Sequence, residues 1–351
     1  MTGLSSAVER GRESGQAPMA APPPKASARR YLRPERLLTY SVLWALLIEI
    51  AIFSALSPDV FATWANARSI LGSQAVLLII ALGLTVALAA NEFDLSIAAV
   101  AGFSQVIVGW LTVEHGWGLG AAIVAALLVG LTIGVINAFL VVRLGIGSFI
   151  GTLASGTLLT GLSLKITNSE PITNIPQGLV DASSHELLGL QLVFWYALAG
   201  TIVLWYVLSH TPVGRWIYFT GANPQSAQLN GLPVGRIRAA SLVVCAVVAA
   251  IGGILYAGLF GAADPNTATD QFLLPSYAAA FLGATAVVQG RFNAWGTFIS
   301  VYLVVTGIVG LSLVTNQVGW ISFAFNGGVL IIALAAQRFV VTRQQRAAPP
   351  A

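Results

Sequence analysis

The sequence predicts an all-α membrane protein, a polytopic transmembrane bundle of about ten helices, and three observations support this fold class. Of the 351 residues, 56% are hydrophobic and only 9% are charged, whereas soluble domains carry about 25% charged residues. The mean hydropathy is +0.82, and long apolar runs recur along the chain. The 36 glycines suit close helix packing in lipid, because small residues let two backbones approach.

Ten apolar segments approach the ~20 residues that a helix needs to cross a bilayer. The second and third are separated only by residues 91–94. These four residues are either a tight turn between two complete spans or the break in one interrupted helix. The predicted spans are residues 37–57, 70–90, 95–113, 118–142, 146–165, 190–208, 237–261, 272–290, 293–313 and 318–338.

The arginine pattern predicts the orientation, because cytoplasmic loops carry an excess of Lys and Arg. If the N-terminal segment is cytoplasmic, the opposite side keeps only Arg68 and Lys165 as basic residues. An even number of spans and cytoplasmic termini at both ends therefore follow. The arginines that fall on the cytoplasmic side after the first span are Arg143, Arg215, Arg236, Arg238, Arg291, Arg338, Arg343 and Arg346.

Three regions are predicted along the chain. Residues 1–36 are rich in proline and arginine and form a disordered basic cytoplasmic tail. No apolar run precedes Leu37, so this segment is not a cleavable signal peptide. Residues 37–340 form the transmembrane domain, and residues 341–351 form a second cytoplasmic tail. The longest external segment, 166–189, and the longest internal loop, 209–236, are where soluble partners could dock.

The internal loop carries the signals of one short helix. Asn223 suits the N-cap, since its side-chain oxygen can accept a backbone N–H of the first turn. Pro224 suits the first helical position. Gly231 suits the left-handed residue after the helix end, and Pro233 prevents continuation. Two interpretations remain open from this local pattern: a helix that docks into another protein, or an ordinary surface helix.

The sequence lacks the residues that several catalytic and binding functions require. Lys25 and Lys165 are the only lysines, and no phosphate-binding G-x-x-x-x-G-K-[ST] loop occurs. The single cysteine, Cys245, and three histidines predict no metal site, no cofactor and no catalytic residues. The formal net charge of +4 reflects the cytoplasmic arginines, so no nucleic acid partner is expected.

Four stretches carry a family resemblance. The string GANPQSAQLNGLPVGRIR, residues 221–238, is similar to G-x-N-x-x-A-A-x-x-x-G-I-x-V-x-x-x-K/R, with Ser226 and Leu232 as departures. Residues 93–97 resemble part of G-G-I-D-L-S-V-G. Residues 134–153 resemble G-x-x-N-G … P-x-F-I-x-T-L-G, and residues 274–297 resemble A-A-x-x-x-G-G-T … G-x-x-x-G-T. The chain thereby resembles the ribose-type ABC sugar permeases of the branched-chain-type binding-protein-dependent family, over roughly residues 40–340.

The resemblance implies a transport subunit rather than an enzyme. It implies import of a monosaccharide or similar small polar solute across a bacterial plasma membrane, with ATP hydrolysed by separate ABC ATPase subunits. An extracytoplasmic solute-binding protein, a second permease copy or paralogue, and the lipid bilayer are the other expected partners. Residues 209–236 become a coupling loop that binds the ATPase. Its candidate coupling residues are Asn223, Pro224, Ala227, Leu229, Gly231 and Arg236.

Other transport functions remain open. Within the same class, the solute could be a nucleoside, a furanoid signal or a branched-chain amino acid. An ion-coupled secondary transporter is the alternative from another class, although it would usually place more ionisable residues inside its spans.

Asp94 has two interpretations. Ionisable groups at membrane depth tend to mark transport pathways, but Asp94 could equally cap the following helix. Glu49 lies mid-way along the first span. For this residue, a role in packing between helices is favoured over a role in ligand binding. With the resemblance, the substrate-pathway candidates are Asn91, Asp94, Ser96, Asn137, Phe149 and Thr152.

Overall fold

The computed structural model describes residues 40–347 apart from 316 and 318, so the predicted tail at 1–36 lies outside the described residues. Almost all of the described chain is helical. The helices are α1 (Ser41–Leu56), α2 (Trp64–Ser73), α3 (Ala75–Ala89), α4 (Ile97–Gly109), α5 (Leu119–Ala138), α6 (Ser148–Thr167), α7 (Gln177–Ser184), α8 (Leu192–His210), α9 (Pro212–Ala222), α10 (Pro224–Leu229), α11 (Val234–Phe260), α12 (Thr267–Gly283), α13 (Ala294–Thr315) and α14 (Gly319–Ala347).

Helices α4 and α5 each run on into a wider π-helical turn, at Trp110–Glu114 and Phe139–Arg143. Four strands of two residues each complete the described structure. They are β1 (Ile172–Thr173), β2 (Glu186–Leu187), β3 (Leu190–Gln191) and β4 (Ala262–Ala263).

The all-α polytopic fold predicted from composition is confirmed. Within the described residues, eight helical segments are long and apolar enough to cross a membrane. Two predicted spans correspond to shorter helices, α1 with 16 residues and α12 with 17 residues. The total of ten spans therefore stays a prediction. Helix α14 continues to Ala347, well past the predicted span end at residue 338.

The centre of the bundle is built on α3, α4 and α11. Every residue of α3 is buried, and α11 packs against α3, α4 and α5. The contact between α11 and α4 requires glycine at position 253, because a Cβ atom there would lie 1.9 Å from the Ala101 carbonyl oxygen. Helix α6 lies at the periphery, with most of its side chains exposed or half-buried.

The connections between helices gather at two ends of the bundle. At one end β1 pairs antiparallel with β4, and Arg68 Nη1 lies 2.7 Å from Glu186 Oε1. At the other end the Tyr218 hydroxyl donates to the Phe292 carbonyl oxygen over 2.6 Å. The predicted external segments thus share one end, and the predicted cytoplasmic segments share the other. The cytoplasmic assignment of the second end stays a prediction.

Candidate transport site and coupling loop

The polar turn, residues 90–96, joins α3 to α4 at the predicted cytoplasmic end. Asn91 adopts a left-handed conformation with φ 62°, which asparagine tolerates better than most residues. Asn91 itself is exposed, whereas Asp94 and Ser96 are fully buried. The helical segments on either side, Trp64–Ala89 and Ile97–Glu114, are each long and apolar enough to cross a bilayer, which favours a turn between two complete spans over a break in one span.

Helix α6 holds the backbone of the polar turn. The Ser148 hydroxyl oxygen accepts the Phe93 N–H over 3.1 Å, and the Thr152 hydroxyl oxygen accepts the Leu95 N–H over 2.9 Å. Both side chains lie on the first turns of α6, four residues apart and therefore on one helix face. Two side chains from one helix thereby satisfy two backbone donors of a buried loop, as buried polar groups require.

A chain of hydrogen bonds runs from Asp94 in the polar turn to α5 and α6. Asp94 Oδ1 accepts the N–H of Ser96 over 2.9 Å and its hydroxyl over 2.5 Å. The Ser96 hydroxyl oxygen accepts from Asn137 Nδ2 on α5 over 2.8 Å. Asn137 Oδ1 in turn accepts the hydroxyl of Ser155 on α6 over 2.7 Å. The Cys245 thiol of α11 lies beside the same carboxyl group.

One atom of this network has no strong donor. Asp94 Oδ2 is buried and has no hydrogen-bond partner by geometry among the described residues. A buried acceptor without a partner costs about 1–3 kcal/mol, and such atoms are a natural place for a donor from outside the chain. The Phe93 ring, half-exposed beside the turn, stacks on Tyr277 with centroids 6.5 Å apart.

The structure brings together four of the six pathway candidates. Asp94, Ser96, Asn137 and Thr152 are all buried and lie around the polar turn. Phe149 does not join them, because its side chain is 53% exposed on the outer face of α6. Asn91 lies on the surface of the turn, where it lines a separate polar cavity.

That cavity, of about 710 Å³, lies between the polar turn, α9 and the 284–293 connection. Arg215 and Arg291 line it, and the Arg291 guanidinium lies 5.1 Å from the centre of the Tyr218 ring. Burial raises the pKa of Tyr218 to about 12, so its hydroxyl stays protonated and keeps donating to Phe292.

Sequence reasoning missed Ser148 and Ser155. Their signal was available, since Ser148, Thr152 and Ser155 recur at helical spacing on one face of α6. Glu49, the acidic group within the first predicted span, is half-buried in α1, and its Oε2 has no hydrogen-bond partner among the described residues.

The local structure predicted for the coupling loop is confirmed. Asn223 Oδ1 accepts the Ser226 N–H over 2.9 Å, and Pro224 is the first residue of α10. Gly231 has φ 81°, and its N–H donates to the Gln228 carbonyl oxygen over 3.0 Å. The short helix thus begins and ends as its sequence signals indicate.

Helix α10 has one anchored side and one free side. Ala227 is fully buried, whereas Leu229 is 88% exposed. Asn223, Pro224 and Arg236 are also exposed. An exposed leucine on a capped helix is the kind of apolar side chain that a hydrophobic groove on another protein can bury.

The coupling loop also touches the polar turn directly. A Cβ atom at Gly221, the end of α9, would lie 2.2 Å from the Ala89 carbonyl oxygen. Arg238, on the second turn of α11, donates through Nε to the Glu92 carboxylate. Sequence reasoning did not foresee this ion pair, because the two residues are far apart in the chain.

Among residues 40–347, leaving out 316 and 318, no group of three His, Cys, Asp or Glu side chains is placed to hold a metal ion.

Comparisons with known proteins agree with the transmembrane bundle and its motifs. The ribose import permease protein RbsC of Haemophilus influenzae is 29% identical over 306 residues, which cover 86% of this chain and 93% of the relative. RbsC of Escherichia coli K12 is 30% identical over 78% of this chain and 85% of its own length. The D-allose transport system permease protein AlsC of the same strain is 27% identical over 86% of this chain and 92% of its own.

No solved structure matches the chain significantly. The family model described as branched-chain amino acid transport system / permease component matches residues 66–337. The resemblance predicted from the motifs is confirmed, and the chain belongs to this family of multi-pass membrane permeases.

Proposed function

We propose that this chain is the membrane-spanning permease subunit of an ATP-driven, binding-protein-dependent importer of a monosaccharide. The observation that carries the proposal is the similarity, over most of the chain, to permeases whose names specify ribose, D-allose and L-arabinose. The capped helix α10 supports an ABC mechanism, since an exposed short helix is a suitable contact for a separate ATPase. A bacterial plasma membrane is the location that this function requires.

The chemistry around the polar turn suits a sugar. Sugar hydroxyls both donate and accept hydrogen bonds, and Asp94, Ser96, Asn137 and Thr152 offer both kinds of group. Asp94 Oδ2 accepts no hydrogen bond by geometry among the described residues, and the Cys245 thiol beside the carboxyl group is only a weak donor. Since Asp94 is covered in this conformation, a solute reaches it only in another state of the alternating-access cycle.

Phe149 and Asn91 fit the pathway in different ways. Phe149 lies on the exposed face of α6 and joins the pathway only where a second permease copy or a paralogue covers that face. Asn91 is exposed at the cytoplasmic end, where it lies along the exit route of the solute.

The decisive experiment is uptake in proteoliposomes that contain the permease, its ATPase subunit and the cognate solute-binding protein. Labelled ribose, allose and arabinose are compared with a nucleoside, a furanoid signal and leucine. We expect ATP-dependent accumulation of one sugar. Accumulation of leucine instead would favour the amino acid substrates in the family's description. Uptake without the ATPase that an ionophore abolishes would indicate an ion-coupled transporter.

The docking role of α10 has its own test. Leu229→Ser should reduce co-purification of the ATPase subunit without loss of permease from the membrane, because Leu229 has few contacts within the chain. Gln225→Ser, on the exposed surface of the same helix, is the matched control and should leave assembly unchanged. Equal co-purification of both variants would remove Leu229 from the interface.

The orientation is tested by cysteine labelling in a Cys245→Ser background. A cysteine at position 181 should react from outside intact cells, whereas one at position 225 should react only after permeabilisation. The opposite pattern would reverse the proposed topology, place both termini outside and remove the ATPase from the coupling loop.

A further inference from the structure

Glu92 is a buried carboxylate at the centre of the polar turn. Its side chain is 2% exposed, and it pairs with Arg238, whose side chain is 34% exposed. A charge in such a position is costly unless it is paired and hydrogen-bonded.

Arg238 lies two residues after the coupling loop, and backbone hydrogen bonds connect the two segments. The Leu232 N–H donates to the Ala227 carbonyl oxygen over 3.1 Å, which ties the chain after α10 back to α10 itself. The Ile237 N–H donates to the Pro233 carbonyl oxygen over 3.1 Å at the start of α11. A displacement of α10 is therefore passed to the first turns of α11 and to Arg238.

Glu92 is connected just as closely to the candidate transport site. Asp94 follows two residues later in the same buried turn, whose backbone is held by Ser148 and Thr152. Since Phe93 and Leu95, on either side of Asp94, are both held by α6, a displacement of Glu92 should be passed to Asp94. Packed regions of this kind shift between discrete arrangements rather than deform continuously.

We propose that the Glu92–Arg238 ion pair transmits movement of the coupling loop to the polar turn, and so links ATP hydrolysis to the state of the transport site. This inference rests on the proposed function. Glu92 and Arg238 are positioning residues in this mechanism, since neither needs to touch the solute. The close contact of Gly221 with Ala89 keeps the coupling loop against the end of α3, while the ion pair transmits the displacement to the polar turn.

The test measures solute transported per ATP hydrolysed in the reconstituted importer. Glu92→Gln and Arg238→Gln should each assemble and hydrolyse ATP, yet transport at least about fivefold less solute per ATP than the wild type. The double variant should be no worse than either single one, because residues that act through one interaction are not additive. Arg143→Gln is the matched control, since Arg143 is also exposed at the predicted cytoplasmic end, and should keep the wild-type ratio.

A purely structural role for the pair makes a different prediction. Assembly, ATP hydrolysis and uptake would then fall together at a constant ratio, and that result would overturn the inference. Arg238→Lys preserves the charge at a partly exposed position and should retain most of the coupling. If the glutamine variants do not fold, Glu92→Asp tests the link instead. Its shorter side chain withdraws the carboxylate from Arg238, so the ratio should fall, and a wild-type ratio in a well-folded Glu92→Asp overturns the inference.

The wild-type protein separates the two proposals. A wild type without ATP-dependent uptake overturns the proposed function, and the coupling role of the ion pair with it. A coupled wild type whose Glu92→Gln and Arg238→Gln variants stay equally coupled overturns the ion-pair inference alone.

Discussion

The polar turn and the coupling loop lie at the same end of the bundle and are stabilised in opposite ways. Both connect long helices, and each contains an asparagine, Asn91 in the polar turn and Asn223 in the coupling loop. In the polar turn, Asp94 and Ser96 are fully buried, and side chains of α5 and α6 form hydrogen bonds to the turn. In the coupling loop, α10 is mostly exposed, and its caps come from Asn223 and Gly231 in the same short segment.

This difference predicts how far the effect of a substitution spreads. A change in the polar turn leaves groups on other helices without partners, so it should affect both packing and transport. A change in α10 removes only local bonds, so it should affect partner binding and leave the bundle intact. The four predictions that follow test this contrast, from the largest expected effect to the smallest.

Asp94→Ala should reduce uptake by about tenfold or more, equivalent to about 1.4 kcal/mol in the transport barrier. The change removes the acceptor of two Ser96 hydrogen bonds as well as the unpartnered Oδ2 atom. Transport of the labelled sugar is measured at matched membrane abundance. Asp94→Asn is the control, since it keeps one acceptor oxygen and removes the charge. Normal uptake by Asp94→Ala at normal abundance would reduce Asp94 to a helix cap.

Gly221→Ala should destabilise the contact between the two regions. The added Cβ would lie 2.2 Å from the Ala89 carbonyl oxygen, and overpacking of this kind costs about 1–3 kcal/mol. Thermal unfolding in detergent gives the measurement. Gly161→Ala on α6 is the matched control, because no atom lies within 4 Å of its added Cβ. Equal stability of the two variants would show that α9 does not press against α3.

Gly231→Val should leave the membrane bundle folded but weaken assembly with the ATPase subunit. A β-branched residue at φ 81° carries a strain of about 1–2 kcal/mol, which frays the end of α10. Co-purification of the ATPase and its stimulation by loaded binding protein are measured together. Gly231→Asn should behave nearly as the wild type. Wild-type assembly and stimulation in Gly231→Val would remove α10 from the mechanism.

Arg68→Ala should have the smallest effect. The Arg68–Glu186 pair at the opposite end is short, at 2.7 Å, but its side chains are 41% and 47% exposed. Exposed pairs of this kind contribute about 0.2–1 kcal/mol. Thermal unfolding at low and high salt checks the value, with Lys165→Ala as the control at the same end. A loss of thermal stability as large as that caused by Gly221→Ala would show that the exposure of an ion pair does not predict its contribution to stability in this protein.

The sequence by itself determined the membrane class, the helical segments and the structure of α10. These features depend on composition and on neighbours within a few residues. A run of apolar residues becomes a helix in lipid because its backbone must satisfy its own hydrogen bonds, and Asn223, Pro224 and Gly231 act within one short segment. The alternation of arginines also predicted which connections share an end.

Only the tertiary structure decided which polar residues meet. Asn137 and Ser155 reach Ser96 because α4, α5 and α6 pack together, and Phe149 turns away because its position on α6 faces outward. Arg236 and Arg238 look equivalent in the sequence, yet only Arg238 reaches the Glu92 carboxylate. The physical reason is that a hydrogen bond or ion pair requires a separation of about 3 Å, and distances between residues far apart in the chain are set by helix packing.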